Sequence, residues 1–265
     1  MKKKLLIIII AVVVLAAAGI TAYMLFSPKS LSGDWEMVVN PELSKATPDE
    51  ADSAEKTYYS FSQPGEYGDG EYKTIYDGGV EKGEYKLSEK NGKKYINMGT
   101  DDLEYRIEGS TLTITYPAHT DEQTGKKVSA QDYVFNSAKA PDYENESYES
   151  YHTEASLLSE WETKDRTLDY YVNKLSYTET VKFDGNGVMT IHYESKDLAL
   201  DRYMYYSYSA ENDKLTFSLV TDKNTKNTVS YKVDENGTLK FTNDKTASSI
   251  FSDAVFSDVV YKKKK

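Results

Sequence analysis

Cysteine is absent from all 265 residues. Its absence excludes disulfides, thiolate metal sites, a nucleophilic thiol and the acylated cysteine of a bacterial lipoprotein. Histidine is scarce as well. His119, His152 and His192 fall in an expected loop, a connector and a strand, and no two share a metal-ligand spacing. No H-E-x-x-H, no G-x-S-x-G elbow and no phosphate-cradling glycine loop occurs. Asp184-Gly185-Asn186-Gly187 opens like a calcium loop, but Ser195 stands at the twelfth position, where a bidentate Glu is needed. Asp234 to Gly237 fails in the same way at Lys245, so both read as hairpin turns. Carboxylate pairs occur throughout so acidic a chain and single out no glycosidase-like pair. The expectation is a non-enzyme with no catalytic residues, no metal and no cofactor.

Basic residues are outnumbered through the body of the chain. Residues 31–260 hold 24 Lys and Arg against all 43 Asp and Glu, a net of −19. A body this acidic repels phosphate backbones, which excludes nucleic acid as a partner. The other lysines are Lys2–Lys4, Lys29 and Lys262–Lys265. The last four read as a solvated basic tail (262–265), with contact to an anionic surface as the alternative. At the other end, Lys2–Lys4 (1–4, cytoplasmic) precede Leu5–Phe26, an uncharged run of 22 residues. At 1.5 Å per residue such a helix spans about 33 Å, enough for a single-pass transmembrane anchor (5–26). A cleaved signal peptide ending near Ala16-Ala17-Ala18 is the rival. The run's continuation through GITAYMLF favours the uncleaved anchor. With the anchor retained the cell membrane is a partner through this helix, and on either reading everything past a short spacer (27–30) is extracytoplasmic.

What the chain does have is tyrosine, 24 against 8 Phe, within 39 % hydrophobic residues. That bias favours pleated, half-exposed strands over helices and disorder. It also has a repeat. Its two tryptophans, Trp35 in LSGDWEM and Trp161 in LLSEWET, are 126 residues apart. Asp132-Tyr133-Val134-Phe135 reappears at the same offset as Asp258-Val259-Val260-Tyr261, and Tyr105 and Ile107 map onto Tyr231 and Val233. With one residue inserted in a turn, Leu112 maps onto Leu239. Two copies of one unit therefore follow one another, at 31–136 and 157–261, across an acidic linker at 137–156. Each copy reads as an antiparallel meander. Alternating segments turn at Asn91-Gly92, Asp184–Gly187, Asn212-Asp213 and Asn236-Gly237. A sheet of that size hides one face and disposes of its edges by curling into a barrel. Residues 40–57 read as a loop or short surface helix, and Ile250, Phe251, Ala254 and Val255 as one face of a short helix before the last strand.

Gly33-Asp34-Trp35, on the first strand of this meander, resembles the G-x-W signature of the lipocalin-like superfamily. More narrowly, the chain is similar to the short lipocalin-like domains on anchored extracytoplasmic proteins of Gram-positive bacteria. The second copy departs from the signature with Ser159-Glu160-Trp161, and each copy is shorter than a typical eight-stranded lipocalin. The resemblance implies that Trp35 and Trp161 plug the closed ends of two barrels, which is also the physical default for a large ring at the start of a β domain. The expected fold is thus mainly β, a transmembrane helix followed by two lipocalin-like barrels.

Three functions follow as expectations. The first is a non-enzymatic binding protein whose barrels hold a small apolar ligand or a partner surface. The second is a structural or protein-interaction module of the cell envelope, meeting a protein or polymer through barrels filled by their own side chains. The third is an enzyme of unrecognised type. The tyrosine runs Tyr58-Tyr59, Tyr170-Tyr171 and Tyr203 to Tyr208 either line a ligand cup or a binding face, or simply cover the strands.

Overall fold

The computed structural model of the chain describes residues 30–38, 56–99, 101–120, 125–148, 151–170, 173–196, 199–242 and 259–264. The first half supplies β1 (Gly33–Met37), β2 (Tyr58–Phe61), β3 (Asp69–Tyr76), β4 (Gly79–Lys90), β5 (Lys93–Asn97), β6 (Asp102–Glu108) and β7 (Thr111–Tyr116). A small hairpin, β8 (His119–Thr120) and β9 (Lys127–Val128), intervenes before β10 (Gln131–Ser137). Each large strand pairs antiparallel with the next, and β10 returns to β1 with Trp35 opposite Ser137, which closes an eight-stranded barrel. The second half repeats the plan with β11 (Glu160–Tyr170), β12 (Asn173–Phe183), β13 (Val188–Ser195), β14 (Leu200–Glu211), β15 (Lys214–Leu219), β16 (Asn227–Val233), β17 (Thr238–Thr242) and β18 (Val260–Lys263). Here β18 pairs back with β11, setting Trp161 opposite Lys263.

Period-two patterning sets which residues face inward. On β13, Met189 and Ile191 are buried, while Thr190 and His192 lie on the other face. The two tip turns are built alike. Asn91 and Gly92 have φ of 54° and 74°, and Asn212 and Asp213 have φ of 53° and 60°. Two successive left-handed residues make the primed turn whose twist matches the flanking strands.

Each barrel has its own core. Trp35, Phe61, Tyr85, Ile96, Leu112 and Phe135 fill the first. Trp161, Val181, Phe183, Ile191, Tyr206 and Tyr261 belong to the larger cluster in the second. A third cluster lies between them, from Tyr58, Ile75 and Val80 on one side to Val188, Tyr205 and Val220 on the other. The connector 137–156 adds Ala140 and Tyr143 to this seam. It is tied to both barrels: Ala140 N–H donates to Asp34 Oδ2 at 3.1 Å, and Tyr148 N–H donates to the Asn186 carbonyl at 2.9 Å.

Beneath the seam lies a strand pairing. β4 and β14 have twelve residues each and bend from one neighbour to the next. β5 covers only Lys86–Lys90 of β4, and β15 only Tyr206–Glu211 of β14. The overhanging starts pair with each other instead, Gly79, Val80 and Glu81 opposite Met204, Tyr203 and Arg202. All sixteen large strands thereby form one hydrogen-bonded sheet.

One correction to the sequence-based fold follows. The transmembrane helix is not part of the structure: among the described residues no helix is long and apolar enough to cross a membrane. The only helical piece among them is a 3-10 turn at Tyr143–Asn145. Residues 5–26, on which that expectation and the cytoplasmic N-terminus rested, lie outside the described residues, as do most of 40–57 and the short helix expected at 246–257. How the two barrels pack was open from the sequence, and in the structure they meet along the pairing of β4 with β14. Unpaired backbone amides at the overhangs of β4 and β14 would be costly in an apolar seam, and mutual pairing satisfies them.

The two tip turns provide an internal control. Asp carries a Cβ penalty in the left-handed region that Gly lacks, offset in part by the greater chain entropy of Gly. Asp213→Gly is expected to stabilise the chain by about 0.5 kcal/mol, and Gly92→Asp to destabilise it by a similar amount. Thermal unfolding of the two variants measures both shifts, and a loss of stability in Asp213→Gly contradicts the turn assignment.

Candidate functional site

Trp35 is buried in β1 and donates its indole N–H to the Leu31 carbonyl at 2.8 Å. Trp161 repeats this in β11, donating to the Leu157 carbonyl at 3.0 Å. Burying an indole contributes on the order of 4 kcal/mol by area, and the hydrogen bond removes the cost of a buried N–H. Gly33, the other signature residue, opens β1 with φ of 120° and no heavy atom near a would-be Cβ. Asp34 between them accepts a hydrogen bond from Ser60 Oγ at 2.6 Å and anchors the connector. None of the three residues Gly33, Trp35 and Trp161 lines the clefts described below.

The histidines do not meet. His119 is exposed on β8, and His152 uses its backbone to hold β14, its carbonyl accepting from Ala210 N–H at 2.6 Å. No group of three or more potential metal ligands occurs among the described residues. The calcium-like turns are hairpins. Asp234 Oδ1 accepts the backbone N–H groups of Asn236 and Thr238 at 3.0 and 2.9 Å, which spends its lone pairs on the turn. The tyrosine runs divide by parity. Tyr206 and Tyr208 point into barrel 2, while Tyr205 joins the seam. The side chains of Tyr170 and Tyr171 lie outside the described residues.

Two places concentrate polar chemistry. The first is a cleft of about 610 Å³ between the barrels, which opens where β4 parts from β14. Lys82, Glu84, His192, Glu194, Lys196 and Asp201 are among its lining residues. Within it, His192 Nε2 lies 2.7 Å from Asp201 Oδ1, and its ring stacks on Tyr203 at 4.0 Å and 7°. Lys82 Nζ covers the Tyr203 ring at 4.0 Å to its centroid. Burial pushes the Tyr203 phenol up to about 12, with the Asp201 charge adding to it, so it is neutral at ordinary pH. The layer Lys82–Tyr203–His192 is thus contributed by both halves of the chain. Two further clefts, of about 700 Å³ beside Tyr85 and about 610 Å³ beside Tyr231, are also lined largely by polar side chains.

The second place is inside barrel 2. Glu179 shares the inward parity of Val181 and Phe183 on β12 and is fully buried. Tyr261 donates its hydroxyl to Glu179 Oε1 in a short hydrogen bond. Oε2 has no hydrogen-bond partner among the described residues. Among the described residues the nearest cation is Arg166, whose Nε stands 3.8 Å from Oε2 and donates to Tyr177 Oη at 3.3 Å. A register shift between Thr163 and Arg166 puts three steps of β11 against two of β12. That bulge returns Arg166 to the inward parity that strict alternation would deny it. Tyr193, opposite Glu179 on β13, and Tyr177, 6.0 Å from it ring to ring, complete the surroundings. Burial raises the Glu179 carboxyl above its usual range, although Tyr261 and Arg166 pull it back down. Tyr261 is held far above an ordinary phenol by the same burial and by the Glu179 charge.

Neither place was singled out from the sequence. Glu179 was detectable, as an acidic residue in the apolar register of Glu179-x-Val181-x-Phe183. The cleft had no local signal, because it depends on the pairing of β4 with β14. No family model matches the chain, and neither a curated protein nor a solved structure matches it.

The raised Glu179 carboxyl has a definite sign. The folded chain takes up a proton before the unfolded chain does, so the penalty of burying the carboxylate is present at pH 7. It is relieved as pH falls through the raised value towards the ordinary Glu range near 4.3. Glu179→Gln removes the charge and retains an acceptor for Tyr261. It is expected to raise Tm by about 3 °C at pH 7, on the order of 1 kcal/mol for a chain of this size. In calorimetry across pH that advantage should close as the solution is acidified. A variant less stable than the parent at every pH would mean that the Arg166 ion pair outweighs desolvation.

Proposed function

We propose that the chain is a non-enzymatic binding protein of lipocalin-like architecture, in which two packed barrels serve as a rigid frame and recognition takes place at the cleft between them. One observation carries this reading. Side chains of 0–3 % exposure, among them Trp35, Phe61, Ile96 and Leu112 in one barrel and Trp161, Phe183, Ile191 and Tyr206 in the other, occupy the space an apolar ligand would need. The charged cleft, by contrast, is built from both halves. A surface with Lys82, Lys196, Glu84 and Glu194 interspersed suits a polar partner of mixed charge, such as an envelope protein or polymer. The layered His192, Tyr203 and Asp201 give it a fixed shape. A catalytic reading has less support, since the hydroxyl of Ser195, which lines the same cleft, is donated to the Ser176 carbonyl.

A photoreactive residue at Glu84, in the cleft, is expected to capture one discrete partner in the native host, whereas the same residue at the exposed Lys240 on β17 is not. Fatty-acid and other apolar probes should leave the fluorescence of Trp35 and Trp161 unquenched. Equal capture at both positions refutes the cleft reading. Saturable quenching by an apolar probe restores the ligand-holding barrel.

A further inference from the structure

We propose that the cleft between the barrels binds an extended polypeptide segment. The segment adds as a strand to the open edge of β4 and carries a basic and an acidic side chain two residues apart. This inference rests on the cleft reading above and names the class of partner that the cleft takes.

The backbone is the first ground. One edge of β4 is paired with β3 throughout 79–86, but the other edge is divided between two neighbours. There β14 takes Gly79, Val80 and Glu81, and β5 takes 86–90, so 82–85 has no neighbouring strand on that side among the described residues. The direction of its backbone groups follows from the flanking bonds. The Gly78 carbonyl accepts the Tyr205 N–H at 2.8 Å on the β14 side, and the Leu87 N–H donates to the Gly68 carbonyl at 2.7 Å on the β3 side. Antiparallel bonding alternates, so the even-numbered residues of β4 point their amides and carbonyls away from β3. Lys82 and Glu84 therefore present two N–H and two C=O groups to the opening, none with a backbone partner among the described residues. Asp201 has the matching parity on β14 and would stand opposite Lys82 had the strands not parted. Lys82, Gly83 and Glu84 from one strand and Leu200 and Asp201 from the other line the cleft of about 610 Å³. An edge of this kind is a template for a further strand, and its four residues span about 13 Å.

Charge is the second ground. On the outer face of the sheet Lys73 stands opposite Lys82, and Glu71 stands opposite Glu84. Like charges directly opposite one another weaken a sheet, and exchanging Lys82 with Glu84 would turn both rows into ion pairs. Among the described residues none of the four has an ion pair, and Lys82 Nζ rests on the Tyr203 ring without a counter-ion. A strand completing the sheet here supplies what both rows lack, an acidic side chain beside Lys82 and a basic one beside Glu84. In the antiparallel sense that β5 takes along the same edge, its sequence reads basic-x-acidic.

The test is titration of the full chain with acetyl-Thr-Thr-Lys-Thr-Glu-Thr-Thr-amide, followed by NMR and by amide hydrogen exchange. Saturable binding is expected, with exchange of the Lys82 and Glu84 amides slowed about tenfold. The amides of Gly83 and Tyr85, already bonded to β3, should be unchanged. N-methylation of the peptide's Lys and Glu amides should abolish binding, and N-methylation of its central Thr should not. Lys82→Glu should weaken this peptide about fivefold and favour a peptide with Lys in place of its Glu. Binding that leaves the two amides unprotected, or that survives methylation at Lys and Glu, overturns the strand addition. Saturation of the cleft by polygalacturonate with no binding of the peptide makes the partner a polymer and overturns it as well. Failure of the peptide to bind at all overturns the strand addition alone, since the cleft reading is refuted by equal capture at Glu84 and Lys240.

Discussion

Two long strands that outrun their own barrels hold the molecule in its observed form. A twelve-residue strand in a small closed barrel serves first one neighbour and then the next, and in between some of its backbone amides and carbonyls face outwards. In β4 and β14 these free stretches lie at the strand starts, and each is the partner of the other. The seam cluster around Val80, Tyr143 and Tyr205 then excludes water from that pairing, which makes breaking it more costly than breaking a ladder in solvent. Asp77 at the β3–β4 turn accepts a hydrogen bond from Thr221 Oγ1 across the same seam. The cleft beside Lys82 and Asp201 is the geometric remainder of this arrangement, the space left as the two strands diverge.

The indole bonds show how the duplication was kept. In both copies the tryptophan N–H reaches a leucine carbonyl four residues earlier, which fixes how the chain enters its first strand. The neighbours of the two rings differ freely, with Tyr59 beside one and Val181 beside the other. Local hydrogen bonds that fix a backbone path tolerate little change, whereas apolar contacts tolerate swaps of similar volume.

The strands and turns were legible in the sequence because their causes are local. Leu112 and Ile114 alternate with threonines, and Asn91-Gly92 demands positive φ wherever it stands. The repeat was legible because identical offsets at Trp161, Tyr231 and Tyr261 need no structure to detect. The seam was not. Val80 and Tyr203 read as ordinary half-exposed strand residues, and nothing near either in sequence points to the other. The packing of the connector was hidden for a related reason. Its acidic residues and lack of a β pattern mark an interdomain linker, while Ala140 and Tyr143, the residues that matter for packing, are diluted among them. Glu179 was hidden by composition. In a chain with 43 acidic residues one more Glu attracts no notice, and only its parity with Val181 and Phe183 sets it apart.

Parity also bears on why barrel 2 carries a charge at all. At the equivalent inward positions barrel 1 uses Thr57 and Phe135, a solution with no ionised group to desolvate. Taking a carboxylate out of water costs several kcal/mol, and a single tyrosine bond with an arginine at 3.8 Å returns only part of that. The bulge before Arg166 interrupts the ladder as well, so two features that each weaken the barrel occur side by side. The two are linked, since without the bulge the guanidinium would face outwards and the carboxylate would lose the ion pair with Arg166. Such a coupled pair is poorly explained by stability, since a cheaper apolar solution exists within the same chain. It is better explained by a requirement for charge in the interior of barrel 2.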